Sequence, residues 1–393
     1  MFKVKTLNKI SSIGLNRFPL DRFEVSSESD LPDAILVRSS DMNEMELPAS
    51  LKTVARAGAG VNNIPVARCT ERGVIVFNTP GANANSVKEL VLAGLLLSSR
   101  RILEAVEWTK GLSTSDRVPE IVEQSKSRFK GPEIKGKTLG VIGLGAVGVL
   151  VANGAVALGM KVIGHDPFIS VESAWGLSRE VRRAAFMDNL LAESDYITLH
   201  IPLSDATRGI IDKSKFTLMK KGVRLLNFAR GGLVSEKGLV EALDDGTLGC
   251  YVTDFPEASL IGHENVLPVP HLGSSTPEAE DNCAVMAVDQ IVSFLSTGNI
   301  KNSVNFPTCE LPPTGESRIV IANRNVPNMV GQVTTVLANK STNISDMLNR
   351  HHENFAYNII DVEGKVTEET IKTLGQIDGV VMVRLIDHDN SSA

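Results

Sequence analysis

Three glycines, Gly143, Gly145 and Gly148, fall in the spacing G-x-G-x-x-G, and an acid, Asp166, follows 23 residues after the first. That pattern suits a dinucleotide. Gly143 allows a tight turn, Gly145 lets the backbone approach a pyrophosphate, and Gly148 lets a helix pack close to the preceding strand. Ala146 and Val147 open that helix, whose free N–H groups and positive dipole end would face the phosphates. Asp166 would accept hydrogen bonds from ribose hydroxyls and repel a 2′-phosphate, which favours NAD over NADP. The six-residue pattern alone is weak, since Gly-rich turns are common. Here an apolar strand, Thr138–Ile142, precedes it and a second, Lys161–Gly164, leads into the acid, and this is the context that gives the motif meaning.

Two further residues could do redox chemistry. Arg230, in Asn227-Phe228-Ala229-Arg230-Gly231-Gly232, follows an apolar strand, Val223–Asn227. Ligands of open α/β sheets bind at such carboxyl ends. His271, in Pro270-His271-Leu272-Gly273-Ser274, reads as a loop imidazole ahead of a helix beginning near Pro277. A guanidinium fork can grip a substrate carboxylate in two places. An imidazole can take a hydroxyl proton as hydride leaves carbon, and a carboxylate behind it would raise its pKa and orient it. Alone, His271 reads as a capping or core histidine and Arg230 as a surface ion-pair partner. Together, downstream of a dinucleotide motif, they point to oxidation of a 2-hydroxy acid.

The elements that must position these residues alternate. Strand-like runs at Phe2–Leu7, Ala34–Val37, Thr53–Ala55, Ile75–Asn78 and Tyr196–Leu199 join those above, with helical patterns at Ser86–Thr109, Val147–Leu158 and Glu236–Leu243 between them. Runs apolar throughout suit parallel strands buried on both faces, so the expected class is α/β. Residues 306–316, FPTCELPPTGE, read as a linker. Beyond it the order changes to strand (Ile319–Ala322), helix (Asn328–Asn339), strand (Ile344–Asn349), strand (Phe355–Val362), helix (Glu368–Leu374) and strand (Val380–Leu385), the βαββαβ order of a ferredoxin-like module.

Composition excludes other classes. The 393 residues are 42% hydrophobic and 22% charged with a net charge of −6, ordinary globular usage without the basic footprint of a nucleic-acid binder. The four cysteines, Cys69, Cys250, Cys283 and Cys309, lie far apart, which argues against a disulfide framework or a Cys-rich metal site and suits a reducing compartment. No apolar run approaches the roughly 18 residues of a membrane span. The basic, Ser-containing stretch from Met1 to Phe18 has some transit-peptide character, but its strand-like alternation favours a first strand and a cytoplasmic protein.

The run Gly136–Gly145, then Ala229-Arg230-Gly231-Gly232, then Pro270-His271-Leu272-Gly273, resembles the D-2-hydroxyacid dehydrogenases, above all members that oxidise D-3-phosphoglycerate. Arg56-Ala57-Gly58-Ala59-Gly60-Val61-Asn62-Asn63 and Asn78-Thr79-Pro80-Gly81 are similar to that family's substrate-domain motifs, and the tail resembles an ACT module. The resemblance implies a flavodoxin-like substrate lobe (residues 1–85 and 281–305), a doubly wound Rossmann lobe (86–280), a linker (306–316) and a regulatory module (317–393). It implies NAD as cofactor, Arg230 as carboxylate clamp and His271 as acid/base. It further implies Asp254 toward the nicotinamide carboxamide, and His200, Pro202, Thr207 and Ala229 along the cofactor groove. Gly60 and Ala59 would meet the substrate carboxylate, and Arg38, Ser39 and Arg56 a phosphate. A homodimer or homotetramer, with no nucleic-acid, membrane or metal partner, completes the expectation.

Several positions depart from the family. The acid behind the histidine usually lies in a Glu-Glu-Pro-like stretch, whereas here the run is Asp254-Phe255-Pro256-Glu257, with Glu257 the expected partner and Glu264 the runner-up. Ala146 stands where relatives often carry Arg, Ala59 where Thr is common and Asn62 where Asp is common. In the tail, Asn323 holds a position that is His in serine-binding modules, and Asn328 replaces Gly. Asn323, Asn325 and Asn343 could still hold an amino acid such as serine, or the module is purely structural or dimerising. Two other readings stay open: a dehydrogenase of glyoxylate, hydroxypyruvate or another 2-hydroxy acid, and a non-catalytic scaffold that senses NAD or an amino acid.

Overall fold

The computed structural model describes residues 1–387, which divide into two compact units: 1–82 with 280 onward, and 83–279.

The first unit opens with a five-stranded parallel sheet of order β2-β1-β3-β4-β5, from β1 (Phe2–Leu7), β2 (Phe23–Ser26), β3 (Ala34–Val37), β4 (Thr53–Arg56) and β5 (Ile75–Phe77). β3 and β5 are buried along their whole length, which is why they read as continuous apolar runs. The β2 strand, Phe-Glu-Val-Ser, was not legible as a strand in the sequence.

The second unit carries a seven-stranded parallel sheet of order β12-β11-β10-β9-β6-β7-β8. Its strands are β6 (Thr138–Ile142), β7 (Lys161–His165), β8 (Arg182–Arg183), β9 (Tyr196–Leu199), β10 (Val223–Asn227), β11 (Leu248–Thr253) and β12 (Val266–Pro268). Two apolar clusters, one on Leu139, Val141 and Val252 and the other on Ile197, Leu199 and Leu225, are built from these strands and the helices packed on them. The expected helix Ser86–Thr109 is two helices, Ala84–Ser99 and Ile102–Lys110, because Arg100 is extended (φ −118°, ψ 124°). A tertiary cause lies beside the break. Ser99 Oγ bonds back to Leu95 O at 2.6 Å and meets Tyr196 Oη at 2.7 Å, drawing the helix end onto the sheet.

The C-terminal module has the expected order and forms an antiparallel sheet β14-β15-β13-β16, from β13 (Ser317–Arg324), β14 (Ile344–His352), β15 (Phe355–Val362) and β16 (Val380–Asp387). One face, through Ile319, Ile321 and Ile360, takes the apolar sides of helices Met329–Asn339 and Glu368–Gly375. The other, through Val320, Ala322, Tyr357 and Ile359, joins the core of the first unit with Phe77, Phe294 and Phe306. The 306–316 segment is therefore not a free tether: Phe306 and Cys309 are buried.

Candidate active site

Six loops leave the carboxyl ends of adjacent strands in the second unit. In sheet order β12-β11-β10-β9-β6-β7 they carry His271, Asp254, Arg230, His200, the Gly143–Gly148 turn and Asp166. Six strands at about 4.8 Å spacing set roughly 24 Å between the ends of this row, the scale of an extended dinucleotide. The sheet thus lines up the groups that the sequence separates by more than a hundred positions.

At the β6 end the glycines have distinct reasons. Gly143 takes φ +91°, and a Cβ there would stand 2.5 Å from the carbonyl oxygen of His200. At Gly148 a Cβ would stand 2.0 Å from Gly143 O, so the helix Ala146–Ala157 can approach the turn only without a side chain. Gly145, at the N-cap, is different: a Cβ would meet nothing within 4 Å. Its glycine keeps open a space that faces the helix N-terminus, as an incoming pyrophosphate requires. Asp166 Oδ2 accepts the Leu144 amide at 2.8 Å and Oδ1 accepts the Phe168 amide at 2.8 Å. The carboxylate is fixed against the turn, and its remaining lone pairs are available to hydroxyl donors.

His200 donates its amide to Ile142 O at 2.7 Å, and its Nε2 lies 3.0 Å from Thr198 Oγ1. Burial pushes its pKa down to about 3, so the ring is neutral at physiological pH. Thr207 donates to Pro202 O at 2.7 Å and accepts the Ser204 amide at 2.8 Å, closing the loop after β9.

The loop after β10 is held by a residue that motif reading passed over. Asn227, 1% exposed, accepts the Ala229 amide at 3.2 Å and donates to Arg230 O at 2.9 Å. An Asn ending a strand and bonding to backbone two and three residues on is a turn signal that was present in the sequence. Arg230 Nη1 bonds to Ala229 O at 2.6 Å and the guanidinium stays half-buried.

Asp254 is the electrostatic centre of this end. It is 2% exposed, and neither carboxylate oxygen has a hydrogen-bond partner of normal geometry. Burial raises its pKa, offset in part by the charges of His271 and Arg230 and by the nearby Gly273 amide. His271 is exposed, its ring packed on Phe255 with centroids 4.6 Å apart. Arg230, Asp254 and His271 thus share one neighbourhood. Glu257 instead lies beside Glu236, which also accepts Ser259 Oγ. Burial and that second carboxyl raise the Glu257 pKa. Glu264 lies close enough to Arg101 to act on its charge. Among the described residues, His271 makes no ion pair with either glutamate.

In the first unit, Arg56 Nε donates to Arg38 O at 3.1 Å, and its guanidinium lies over Gly58, where a Cβ would stand 2.5 Å from Nη1. Arg38 pairs with Glu280 at 2.6 Å. The Ser39 amide donates to Asn8 Oδ1 at 3.2 Å, and Asn78 Nδ2 donates to Ala59 O at 2.6 Å, which fixes the loop through Gly60. In the C-terminal module, Asn323 is 1% exposed, donating to Arg324 O at 2.6 Å and accepting from Asn358 at 2.7 Å, so its side chain is spent within the sheet. Asn325 and Asn343 are both exposed.

The open space at Gly145, the pinned Asp166 and the partnerless Asp254 fit NAD. Comparison with known proteins agrees. Residues 92–273 match the model of the D-isomer specific 2-hydroxyacid dehydrogenase NAD binding domain. The D-3-phosphoglycerate dehydrogenase of Archaeoglobus fulgidus is 37% identical over 301 residues, 74% of this chain and 55% of that protein. That of Bacillus subtilis is 36% identical over 327 residues, 78% of this chain and 59% of that protein. The chain thus spans well under two thirds of the length of these relatives. The NAD⁺-bound 3-phosphoglycerate dehydrogenase of Entamoeba histolytica superposes with a TM-score of 0.60 at 26% identity, over 77% of this chain and 98% of that one. With its nucleotide motif, its arginine and its histidine all on one sheet edge, the second unit carries the NAD binding domain of the D-isomer specific 2-hydroxyacid dehydrogenases.

Proposed function

We propose that the chain is an NAD-dependent D-3-phosphoglycerate dehydrogenase, forming 3-phosphohydroxypyruvate in the first step of serine biosynthesis. The observation that carries this reading is the sheet-edge row from Asp166 to His271, in which Arg230 and His271 flank the buried carboxylate of Asp254. Bound nicotinamide supplies the hydride acceptor. Asp166 holds the ribose hydroxyls and Asp254 the carboxamide. Arg230 clamps the substrate carboxylate in two places, and His271 takes the C2 hydroxyl proton as the hydride departs. Asp254 then stabilises the imidazolium through its charge. Glu257, beside Glu236, is the second carboxylate proposed to support the His271 imidazolium. Arg38, Ser39, Arg56, Ala59 and Gly60 are the substrate-binding set of the first unit, the arginines serving the phosphate.

The relatives named D-3-phosphoglycerate dehydrogenase support this choice of substrate over glyoxylate or hydroxypyruvate. A cytoplasmic homodimer or homotetramer, with an amino acid such as serine at Asn325 and Asn343, belongs to the same proposal. The test is the initial rate of NAD reduction with D-3-phosphoglycerate against D-glycerate. The phosphorylated acid should be preferred by about a hundredfold or more in kcat/KM, since a buried or focused cation pair discriminates strongly. A preference for the unphosphorylated acid would transfer the chain to another 2-hydroxy acid.

A further inference from the structure

A groove of about 610 Å³ lies in the first unit, between the Asn282–Ser293 stretch of the long helix Pro277–Thr297 and the return segment Asn299–Glu310. Its wall is an antiparallel bridge, with Ile300 N donating to Cys309 O at 2.8 Å and Cys309 N to Ile300 O at 2.9 Å. Ile300 and Cys309 are both 0% exposed and face the core. Strand alternation turns their neighbours Lys301 and Glu310 to the opposite face, and both line the groove. Two residues of rise and one strand spacing set their Cα atoms roughly 8 Å apart. The ion pairs of this unit are Arg17–Asp289, Arg38–Glu280, Lys52–Asp33, Arg318–Asp361 and Lys340–Glu369. Among the described residues these leave Lys301 and Glu310 without ionic partners.

Gln290 adds a third polar group to the same groove. It is 8% exposed, and its Nε2 donates to Asn78 O at 2.9 Å while Oε1 is buried with no hydrogen-bond partner. An acceptor left bare in this way costs stability until an N–H reaches it. Val285 and Met286 give the groove an apolar side.

A separated cation and anion beside an apolar surface select one class of ligand. A simple anion would meet Lys301 but be repelled by Glu310. A metal ion would meet Glu310 but be repelled by Lys301. A neutral molecule would leave both charges unmatched. We propose that this groove binds a free α-amino acid, its carboxylate on Lys301 and its ammonium on Glu310. Its lining shares no residue with the nucleotide-binding loops or with Asn325 and Asn343 of the C-terminal module, and the proposal does not rest on the proposed reaction.

Calorimetric titration of the full chain, without NAD, with each of the twenty standard L-amino acids tests this. At least one should bind saturably at the groove, resolved from any binding at Asn325 and Asn343 by repeating each titration in an Asn325→Ala background. Lys301→Met and Glu310→Gln should each weaken it by about tenfold or more, the loss of one charge-assisted contact. The N-acetyl and methyl-ester derivatives of that amino acid should bind worse by a similar factor, while Asn325→Ala should leave affinity within about twofold. Both groove substitutions are at exposed positions, and circular dichroism would verify that they fold. The proposal is overturned if no amino acid binds, if binding survives both groove substitutions, or if Asn325→Ala abolishes it and the groove variants do not.

Discussion

Two buried aspartates, one in each unit, show opposite solutions to the same problem. Asp361, on β15 of the C-terminal module, is 0% exposed, as is Arg318 on β13. Arg318 Nε and Nη2 donate to its two oxygens at 2.6 and 2.8 Å, and Thr314 donates its amide at 2.9 Å and its hydroxyl at 3.2 Å. Arg318 Nη1 also reaches Thr297 O at 2.9 Å, one of the carbonyls a helix C-terminus leaves free. Burial alone would raise the Asp361 pKa, but these donors outweigh it and hold it below the usual range. Asp254 is buried to a similar degree and has no such set. A carboxylate that the fold satisfies completely serves the fold. One that the fold buries and leaves bare carries a cost that a ligand can remove, and such cost collects at functional sites.

The largest expected effect tests the functional side of this contrast. His271→Asn removes the imidazole whose charge acts on Asp254 while keeping a planar side chain of similar size. We expect kcat to fall by roughly a hundredfold to ten-thousandfold, the usual worth of general acid–base catalysis, with NAD affinity within about twofold. Steady-state rates and a fluorescence titration with NADH measure the two. A variant that keeps near wild-type turnover would assign the proton to another group and detach Asp254 from the reaction.

On the structural side, Arg318→Met leaves Asp361 buried without its partner. Breaking a buried pair in this way costs roughly 3–5 kcal/mol. Denaturant unfolding of the full chain should show that loss, and it should extend to the parallel sheet of the first unit, because the module shares a core with Phe77 and Phe294. A loss confined to the module would mean that the shared core is not cooperative.

How far this contrast could be read beforehand depended on the range of the interactions. The Gly143–Gly148 turn and Asp166 were legible because strand, turn and helix are contiguous and each glycine answers a local steric demand. The βαββαβ order of the tail was legible for the same reason, from periodicity and a Pro-rich break. Arg230 and His271 were placed by motif, and parallel strand order then converges them. The Arg318–Asp361 pair was not legible. A charge within a strand reads as a solvent position, and the two residues are 43 positions apart. β11 was missed because Leu-Gly-Cys-Tyr-Val-Thr mixes weak and strong strand formers, and β12 because it is three residues ending in proline. The helix break at Arg100 came from Ser99 meeting Tyr196, a contact between distant segments. Asn227 carried a local signal, but it was read as the end of a strand rather than as the brace of Arg230.

A smaller effect compares the two aspartates directly. Asp254→Asn keeps the shape and removes the bare charge. NADH affinity should fall by about tenfold, since an amide accepts only through one oxygen and brings an NH₂ against the carboxamide NH₂. Stability at neutral pH should stay level or rise by about 1 kcal/mol, because no contact is broken and a desolvated charge is gone. A clear loss of stability would mean that Asp254 is satisfied in solution and that the contrast with Asp361 is false.

The pH dependence of that stability difference is the most delicate discriminator, because the two carboxylates enter with opposite sign. Asp254 has a raised pKa in the folded chain. The folded state therefore holds more protons than the unfolded one between the ordinary carboxylate value, about 3.9, and the raised value. Stability falls as pH rises through that window, and the cost is fully present above it. Asp361 has a depressed folded pKa, so its contribution is present above about 3.9 and is lost only as pH falls through the depressed value. Acidification from neutral pH should therefore relieve the Asp254 cost before it touches Asp361. The stability advantage of Asp254→Asn over the wild-type chain should shrink as pH falls through the raised value toward 4, and vanish where both forms are neutral. Urea unfolding of both chains at stepwise lower pH reads this difference, in which the Asp361 contribution cancels. A gap that widens on acidification would require a folded pKa below the ordinary value, and with it a partner for Asp254 inside the protein.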